Sequence, residues 1–408
     1  MAFKRFHQCL RCLLRLCTRR KKQPSLEQDL INDDTSNEFV TCENDVKQQS
    51  RLSKGSDEKS HLDNKDTGNP KIAGHLQNAI AEAKVALKVK EDTGKKQCPK
   101  EDQNNRELPS IPVVIYDPAT RFADIEQIGK GAFGKVFKAR LKDTTVAVKV
   151  VDIRKGQTDN NEAIQEIRIL ERLNQHNNIV TFYDAVIHKT RPQNKLWCTM
   201  EYCGGGSLAD IISSTRNQSL PERSIQYISR EVLKGLDYIH NNLVIHTDIK
   251  GANIVLTEQA EVKIIDFGLA KEIRYPGQRV SEYSGTPWYM APEVIITLYL
   301  PEIGYTVKCD IWSFGITIIE MAQGDPPNRD MPAERAKINI FRGDPPELKS
   351  KRWSTDIRDF LKLCLTKADQ ERPGAKVLLR HQFITNQPNE NEARLAFIQC
   401  LNEVSGQE

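Results

Sequence analysis

The chain has 408 residues, is 38% hydrophobic and 28% charged, and carries a formal net charge of +4. It is long enough to bury a sizeable core, and no run approaches the ~20 uninterrupted apolar residues of a membrane-spanning helix. So small a charge excess argues against a nucleic-acid partner, and the ten cysteines are read as reduced intracellular thiols rather than a disulfide frame or a zinc site.

Residues 1–25 hold Lys4, Arg5, Arg11, Arg15, Arg19, Arg20, Lys21 and Lys22 with no acid. Phe3, Phe6, Leu10, Leu13, Leu14 and Cys17 recur among them by threes and fours. Such a basic amphipathic segment is suited to an anionic membrane surface through residues 1–22, with Cys9, Cys12 and Cys17 within reach of S-acylation. A disordered basic tail, a transit peptide or a nuclear signal would share this composition. Arg11 and Arg15 interrupt any signal-peptide apolar core.

The stretch 26–120 is polar and nearly free of aromatics, too poor in apolar surface to offset the entropy of ordering. Within it, Ile72, Leu76, Ile80, Ala83 and Leu87 share one helical face.

Compact patterning begins near Phe122. Ile128-Gly129-Lys130-Gly131-Ala132-Phe133-Gly134-Lys135-Val136 gives GxGxxGxV between strand-like runs, predicting a hairpin whose amides fold over phosphates. A strand over Thr145–Val151 follows, carrying Ala147 and Lys149 in a VAIK pattern. The next helix buries Ile164, Ile167, Leu170 and Leu173, and presents Glu162 and Glu166 as candidate partners for Lys149. Strands are expected at Ile179–Tyr183 and Lys195–Tyr202. Gly204, Gly205 and Gly206 then mark the passage to a helical region.

A helix is predicted over Ser224–His240, with Ile225, Ile228, Val232, Leu236 and Ile239 on its buried face. It leads to His246-Thr247-Asp248-Ile249-Lys250-Gly251-Ala252-Asn253 and then Asp266-Phe267-Gly268. A carboxylate able to take a hydroxyl proton, a nearby lysine, an amide oxygen and a second carboxylate are what phosphoryl transfer from Mg-ATP requires. Asp248 is the candidate base, and Asn253 and Asp266 are the candidate metal ligands. Ala291-Pro292-Glu293 and, further on, Gln370-Glu371-Arg372-Pro373 complete the set.

In order and spacing these motifs resemble the eukaryotic protein kinase domain over residues 121–384, with 385–408 as a C-terminal tail. The residues Leu196-Trp197, Met200-Glu201-Tyr202-Cys203-Gly204, Gly285-Thr286-Pro287 and Trp353 are similar to the germinal-centre-kinase group of sterile-twenty-like kinases, in its misshapen/NIK-like branch. The resemblance implies an α+β bilobal fold, with a small sheet lobe holding one helix and a large helical lobe. It implies transfer of the ATP γ-phosphoryl group to Ser or Thr hydroxyls of protein substrates, with ATP and Mg2+ as cofactors, in a cytoplasmic protein.

By the same resemblance Glu166 pairs with Lys149, and Lys250 touches the transferred phosphate beside Asp248. Nucleotide would be framed by Ile128, Gly129, Gly131, Gly134 and Val136 of the hairpin, by Ala147 and Lys149, by Met200, Glu201 and Cys203, and by Val255. Thr286 would bond Asp248 and Lys250, Glu293 would pair with Arg372, and Leu170, Phe182, His246 and Phe267 would stack into a spine anchored by Asp310.

Three features depart from the pattern. Thr247 stands where the catalytic loop usually has arginine, and Glu282 where relatives carry a phosphorylatable threonine. Together they imply a kinase that does not depend on activation-loop phosphorylation. The extension lies before the domain rather than after it, unlike the usual arrangement of the branch. The alternative function is a pseudokinase scaffold that binds ATP and partners, which Thr247 favours and the retained Lys149, Glu166, Asp248, Lys250, Asn253 and Asp266 oppose.

Overall fold

A computed structural model describes residues 111–405, except 132–133, 154–158, 192, 216 and 387. The expectations for 1–25, for the face from Ile72 to Leu87 and for most of the 26–120 stretch lie outside the described residues.

The first lobe is one six-stranded sheet. Strands β1 (Val113–Val114), β2 (Ala123–Gly131), β3 (Gly134–Leu141), β4 (Thr144–Ile153), β5 (Phe182–His188) and β6 (Asn194–Glu201) lie in the order β1-β5-β6-β4-β3-β2. β4 shows why the sheet has two working faces. Val146 and Val148 are buried in a small cluster with Ala139, against which Phe122 and Trp197 stack at 6.3 Å between centroids. Side chains alternate along a strand, so Ala147, Lys149 and Val151 face the other way.

Helix α1 (Asp159–Leu173) covers that second face, burying Ile167, Leu170 and Leu173, while Ile164 is half-buried. Gly131 pairs with Gly134 at the β2–β3 turn. Gly134 has φ +142°, and a Cβ there would lie 2.4 Å from the Val150 carbonyl oxygen, so the position requires glycine.

The second lobe is mainly helical. Its elements are β7 (Gly206–Ser207), α2 (Leu208–Ser214), α3 (Glu222–Asn241), β8 (Val244–Ile245), β9 (Ile254–Leu256), β10 (Val262–Ile264) and β11 (Lys271–Glu272). They are followed by α4 (Pro292–Thr297), α5 (Lys308–Gln323), α6 (Ala333–Arg342), α7 (Thr355–Cys364), α8 (Ala375–Leu378), α9 (Gln382–Thr385) and α10 (Glu390–Ser405). All five apolar residues assigned to α3 are fully buried, each worth about 1.5–3 kcal/mol as an upper bound. Helix α5 is buried on nearly every side, the pattern of a central core helix.

A buried ion pair ties α4 to the connection between α7 and α8. Arg372 donates to Glu293 at 2.6 and 3.1 Å and to the Lys308 carbonyl oxygen at 2.7 Å. With both side chains almost wholly inaccessible, loss of either partner would strand a charge at a cost of about 3–5 kcal/mol.

The structure shifts three expectations. The strand predicted from Ile179 starts at Phe182 and continues to His188. The backbone at Ile179 and Val180 is instead engaged by β10, Ile179 as a bridge to Ile264 and Val180 N–H as a 3.1 Å donor to its carbonyl. At the other edge the sheet begins earlier than Phe122, because Val113 and Val114 pair in parallel with Ile187 and His188. Most of the segment read as a tail is α10. It is held by Phe397, buried 5.6 Å from the Tyr227 ring, and by Ala393 one turn before it.

Candidate active site

The end of α3 delivers the chain into β8, and the two residues after it are fixed by Asp310 from the start of α5. Asp310 is fully buried and accepts from His246 N–H at 2.9 Å, from Thr247 N–H at 2.8 Å, and pairs with the His240 ring at 2.8 Å. Burial alone would push its carboxyl up, but the His240 bond and the other donors hold it below the usual carboxylate range. The loop is thus anchored by an ionised group.

Thr247 has φ +68°. This is a costly conformation for a β-branched residue, on the order of 1–3 kcal/mol. Its Oγ1 donates to the Leu269 carbonyl oxygen at 2.9 Å. A short neutral tether therefore joins this loop to the segment after Asp266.

Asp248 is buried and held from four sides. Its Oδ1 accepts from Thr286 Oγ1 at 2.5 Å and from Thr286 N–H at 3.0 Å. Its Oδ2 lies 2.7 Å from Lys250 Nζ and 3.0 Å from Asn253 Nδ2. Asn253 Nδ2 also donates to the Asp248 carbonyl oxygen at 2.8 Å, which points the amide oxygen away from Asp248. Lys250 in turn donates to Thr286 Oγ1 at 2.8 Å. Beneath the loop, Gly251 N–H donates to Glu320 at 2.9 Å, and a Cβ at Gly251 would meet that carboxylate at 2.8 Å.

On the sheet side, Lys149 Nζ lies 2.7 and 2.9 Å from the two Glu166 oxygens and 3.2 Å from Asp266 Oδ1. Glu166, not Glu162, is thus the side chain that meets Lys149. Burial works against the Lys149 charge, yet the carboxylates of Glu166 and Asp266 outweigh it, so the ammonium is held well above its usual range. Burial likewise raises the Asp266 carboxyl, and Lys149 more than reverses this, keeping it ionised. Asp266 has φ +65°, in the left-handed region that Asp and Asn tolerate better than most residues. The spine residues Leu170, Phe182, His246 and Phe267 are all buried in one core, with the His246 and Phe267 rings 4.9 Å apart.

The strip joining the lobes is rigidified from behind. Glu201 accepts from Thr181 N–H and Oγ1 at 3.0 and 2.8 Å and pairs with Lys263 of β10 at 3.1 Å. Its N–H donates to the Thr181 carbonyl oxygen at 2.8 Å, and the Cys203 carbonyl accepts from Gly206 N–H at 3.4 Å. Met200 pairs with the buried Ala147 across β4 and β6. Burial pushes the Cys203 thiol up to about 12, so it is a poor nucleophile. Ile128 is exposed and Val136 and Val255 are half-buried.

Several residues of this site were not singled out from the sequence. Glu320 under Gly251, Lys263 behind Glu201, and the group Arg168, Arg172 and Glu272 between α1 and β11 are visible only once the chain is folded.

The protein kinase domain family matches residues 122–384. Misshapen-like kinase 1 of Rattus norvegicus is 44% identical over 287 residues, covering 69% of this chain and 21% of the relative. The serine/threonine-protein kinase mig-15 of Caenorhabditis elegans is 42% identical over 287 residues, covering 69% and 26%. The Nik-related protein kinase of Mus musculus is 38% identical over 302 residues, covering 68% and 21%. The chain therefore spans about a fifth to a quarter of the length of these relatives. On the sheet lobe, the helical lobe and the match over 122–384, the chain belongs to the protein kinase family.

Proposed function

We propose that this chain is an active serine/threonine protein kinase that moves the ATP γ-phosphoryl group onto Ser or Thr hydroxyls of protein substrates. The observation that carries this reading is the convergence of Asp248, Lys250, Asn253 and Thr286 on one side of a cleft whose other side holds the Lys149–Glu166–Asp266 triad. A scaffold would not need all six charged or amide groups in register.

Asp248 Oδ1 and Oδ2 are fixed in space by Thr286, Lys250 and Asn253, so the carboxylate can orient an acceptor hydroxyl and take its proton without reorganising. Lys250 stands beside it to meet the charge that develops on the transferred group. Lys149, held ionised against Glu166, meets the α and β phosphates. The glycines of the β2–β3 hairpin, together with Ile128 and Val136, cover them. Ala147, Met200 and Val255 offer apolar contact to the base, and the backbone at Glu201 and Cys203 offers it hydrogen bonds.

One amide oxygen at Asn253 and one carboxylate at Asp266 make a hard, two-ligand oxygen set, which suits Mg2+ completed by phosphate and water rather than a closed protein cage. When bound, the metal neutralises and aligns the phosphate oxygens. Thr286 bonding both Asp248 and Lys250 is the local feature that supports a serine or threonine acceptor. Phosphoamino-acid analysis of a labelled basic protein tests this, and phosphotyrosine as the product would overturn it.

Thr247 offers no cation to an activation-loop phosphate, and the carboxylate of Glu282 already contacts Lys271. Phosphatase treatment of active protein is therefore expected to lower its rate by less than about tenfold, or 1.4 kcal/mol in barrier. A larger loss, read by steady-state assay, would remove this part of the account.

We further propose that the protein works in the cytoplasm and reaches anionic lipid surfaces through residues 1–22. Among the described residues no helix is long and apolar enough to cross a membrane. Co-sedimentation with phosphatidylserine vesicles is expected to be lost on deleting residues 1–22. Equal binding of the deleted chain would refute the assignment.

A further inference from the structure

The two-residue strand β11 lies five to six residues after Asp266 and pairs with β8, Lys271 opposite Ile245 and Glu272 opposite Val244. Its side chains alternate in direction and in charge. Lys271 reaches Glu282 in the loop. Glu272 reaches the other way, onto α1, where Arg168 and Arg172 each place one nitrogen 2.8 Å from a different oxygen of its carboxylate.

These two contacts differ in weight. Glu282 is 71% exposed, so its pair with Lys271 is screened. The Glu272 side chain is only 16% exposed, and two guanidinium groups enclose it. A carboxylate gripped at both oxygens is fixed in direction as well as position.

The placement of the arginines matters for chemistry. Arg168 is two residues, and Arg172 six residues, beyond Glu166 on α1. Where α1 sits therefore decides whether Glu166 meets Lys149, and Lys149 is held for the phosphates only when it does. Core contacts of Ile167 and Leu170 bring α1 to the sheet, but apolar contacts are not directional.

We propose that Glu272 is a positioning residue. By bridging Arg168 and Arg172 it clamps α1 in the orientation that joins Glu166 to Lys149, so that a carboxylate in the sequence itself ties helix to activation segment. This rests on the kinase reading above. It explains how the segment is ordered with Thr247 in the loop before it: β11 is tied through Glu272 to α1, and the chain two residues earlier is tied at the Leu269 carbonyl to Thr247.

The test uses the full-length chain and the variants Glu272→Gln, Arg168→Gln/Arg172→Gln, and the triple variant. Glu272→Gln keeps the shape of the side chain and removes its charge. It is expected to lower kcat/KM for ATP by about tenfold or more, because the fraction of molecules with α1 in place, and with Lys149 held for the phosphates, falls. The triple variant is expected to be no slower than the double-arginine variant, since Glu272 acts only through those side chains. Hydrogen exchange of the α1 amides, measured without substrate, is expected to accelerate in Glu272→Gln while exchange in α3 and α5 stays as in wild type.

Unchanged α1 exchange in Glu272→Gln would overturn the proposal whatever the turnover. So would additive losses in the triple variant. A wild-type chain without phosphotransfer, but with α1 exchange that responds to Glu272→Gln, would sink the kinase reading and leave the clamp standing.

Discussion

Asp248→Asn is expected to lower kcat by about 10²-fold to 10⁴-fold, the range for removing a positioned general base. Both Asp248 oxygens are already bonded, Oδ1 by Thr286 and Oδ2 by Lys250 and Asn253. An amide of the same shape keeps the loop in place but cannot take a proton. It also turns an NH2 group towards Lys250 or Thr286, weakening the contact that aims the acceptor. KM for ATP should move little, because no oxygen of Asp248 is assigned to nucleotide. Steady-state kinetics of the variant check both statements, and normal turnover would strip Asp248 of its role.

Much of this site was legible in the sequence because its chemistry is carried by short runs. The spacing from Asp248 to Lys250 to Asn253, and the strand alternation that sends Lys149 to the face opposite Val148, follow from local geometry alone. Contacts between distant segments were legible only through the resemblance, as with Glu293 and Arg372 or the anchoring of His246 by Asp310. Glu272, Arg168 and Arg172 had no such support. Their only local trace is a pair of arginines four residues apart on α1 and an alternating Lys271-Glu272 strand, a pattern that a solvated surface produces equally well.

Fold boundaries failed for a related reason. Ile179 and Val180 are as apolar as the strand that follows them, but their backbone groups pair with β10 in the other lobe. The helix carrying Ala393 and Phe397 shows a four-residue apolar spacing. Leu395, Ile398, Leu401 and Val404 share that helix, so the spacing alone did not single out Phe397 as the residue that meets Tyr227.

Asp266→Asn is expected to be at least as severe, a loss on the order of 10³-fold or more. Asp266 serves two charges. Its Oδ1 lies 3.2 Å from Lys149, and its side chain is 35% exposed, open to a cation on the cleft side. The variant keeps the backbone, since Asn tolerates the φ of +65° found there. It removes the negative charge that balances Lys149 and, on the proposed function, binds the metal. Raising Mg2+ should recover part of the rate in Asp266→Asn and none in Asp248→Asn, because only the first loss is one of metal affinity.

The central claim is that the converged groups catalyse transfer. The most direct measurement is incorporation of labelled phosphate from Mg-ATP into a generic basic protein by the full-length chain, wild type against Asp266→Asn. The account requires incorporation by the wild type that the variant loses. Equal incorporation by both, or none by the wild type above the variant, would contradict it and leave a kinase fold that serves as a scaffold.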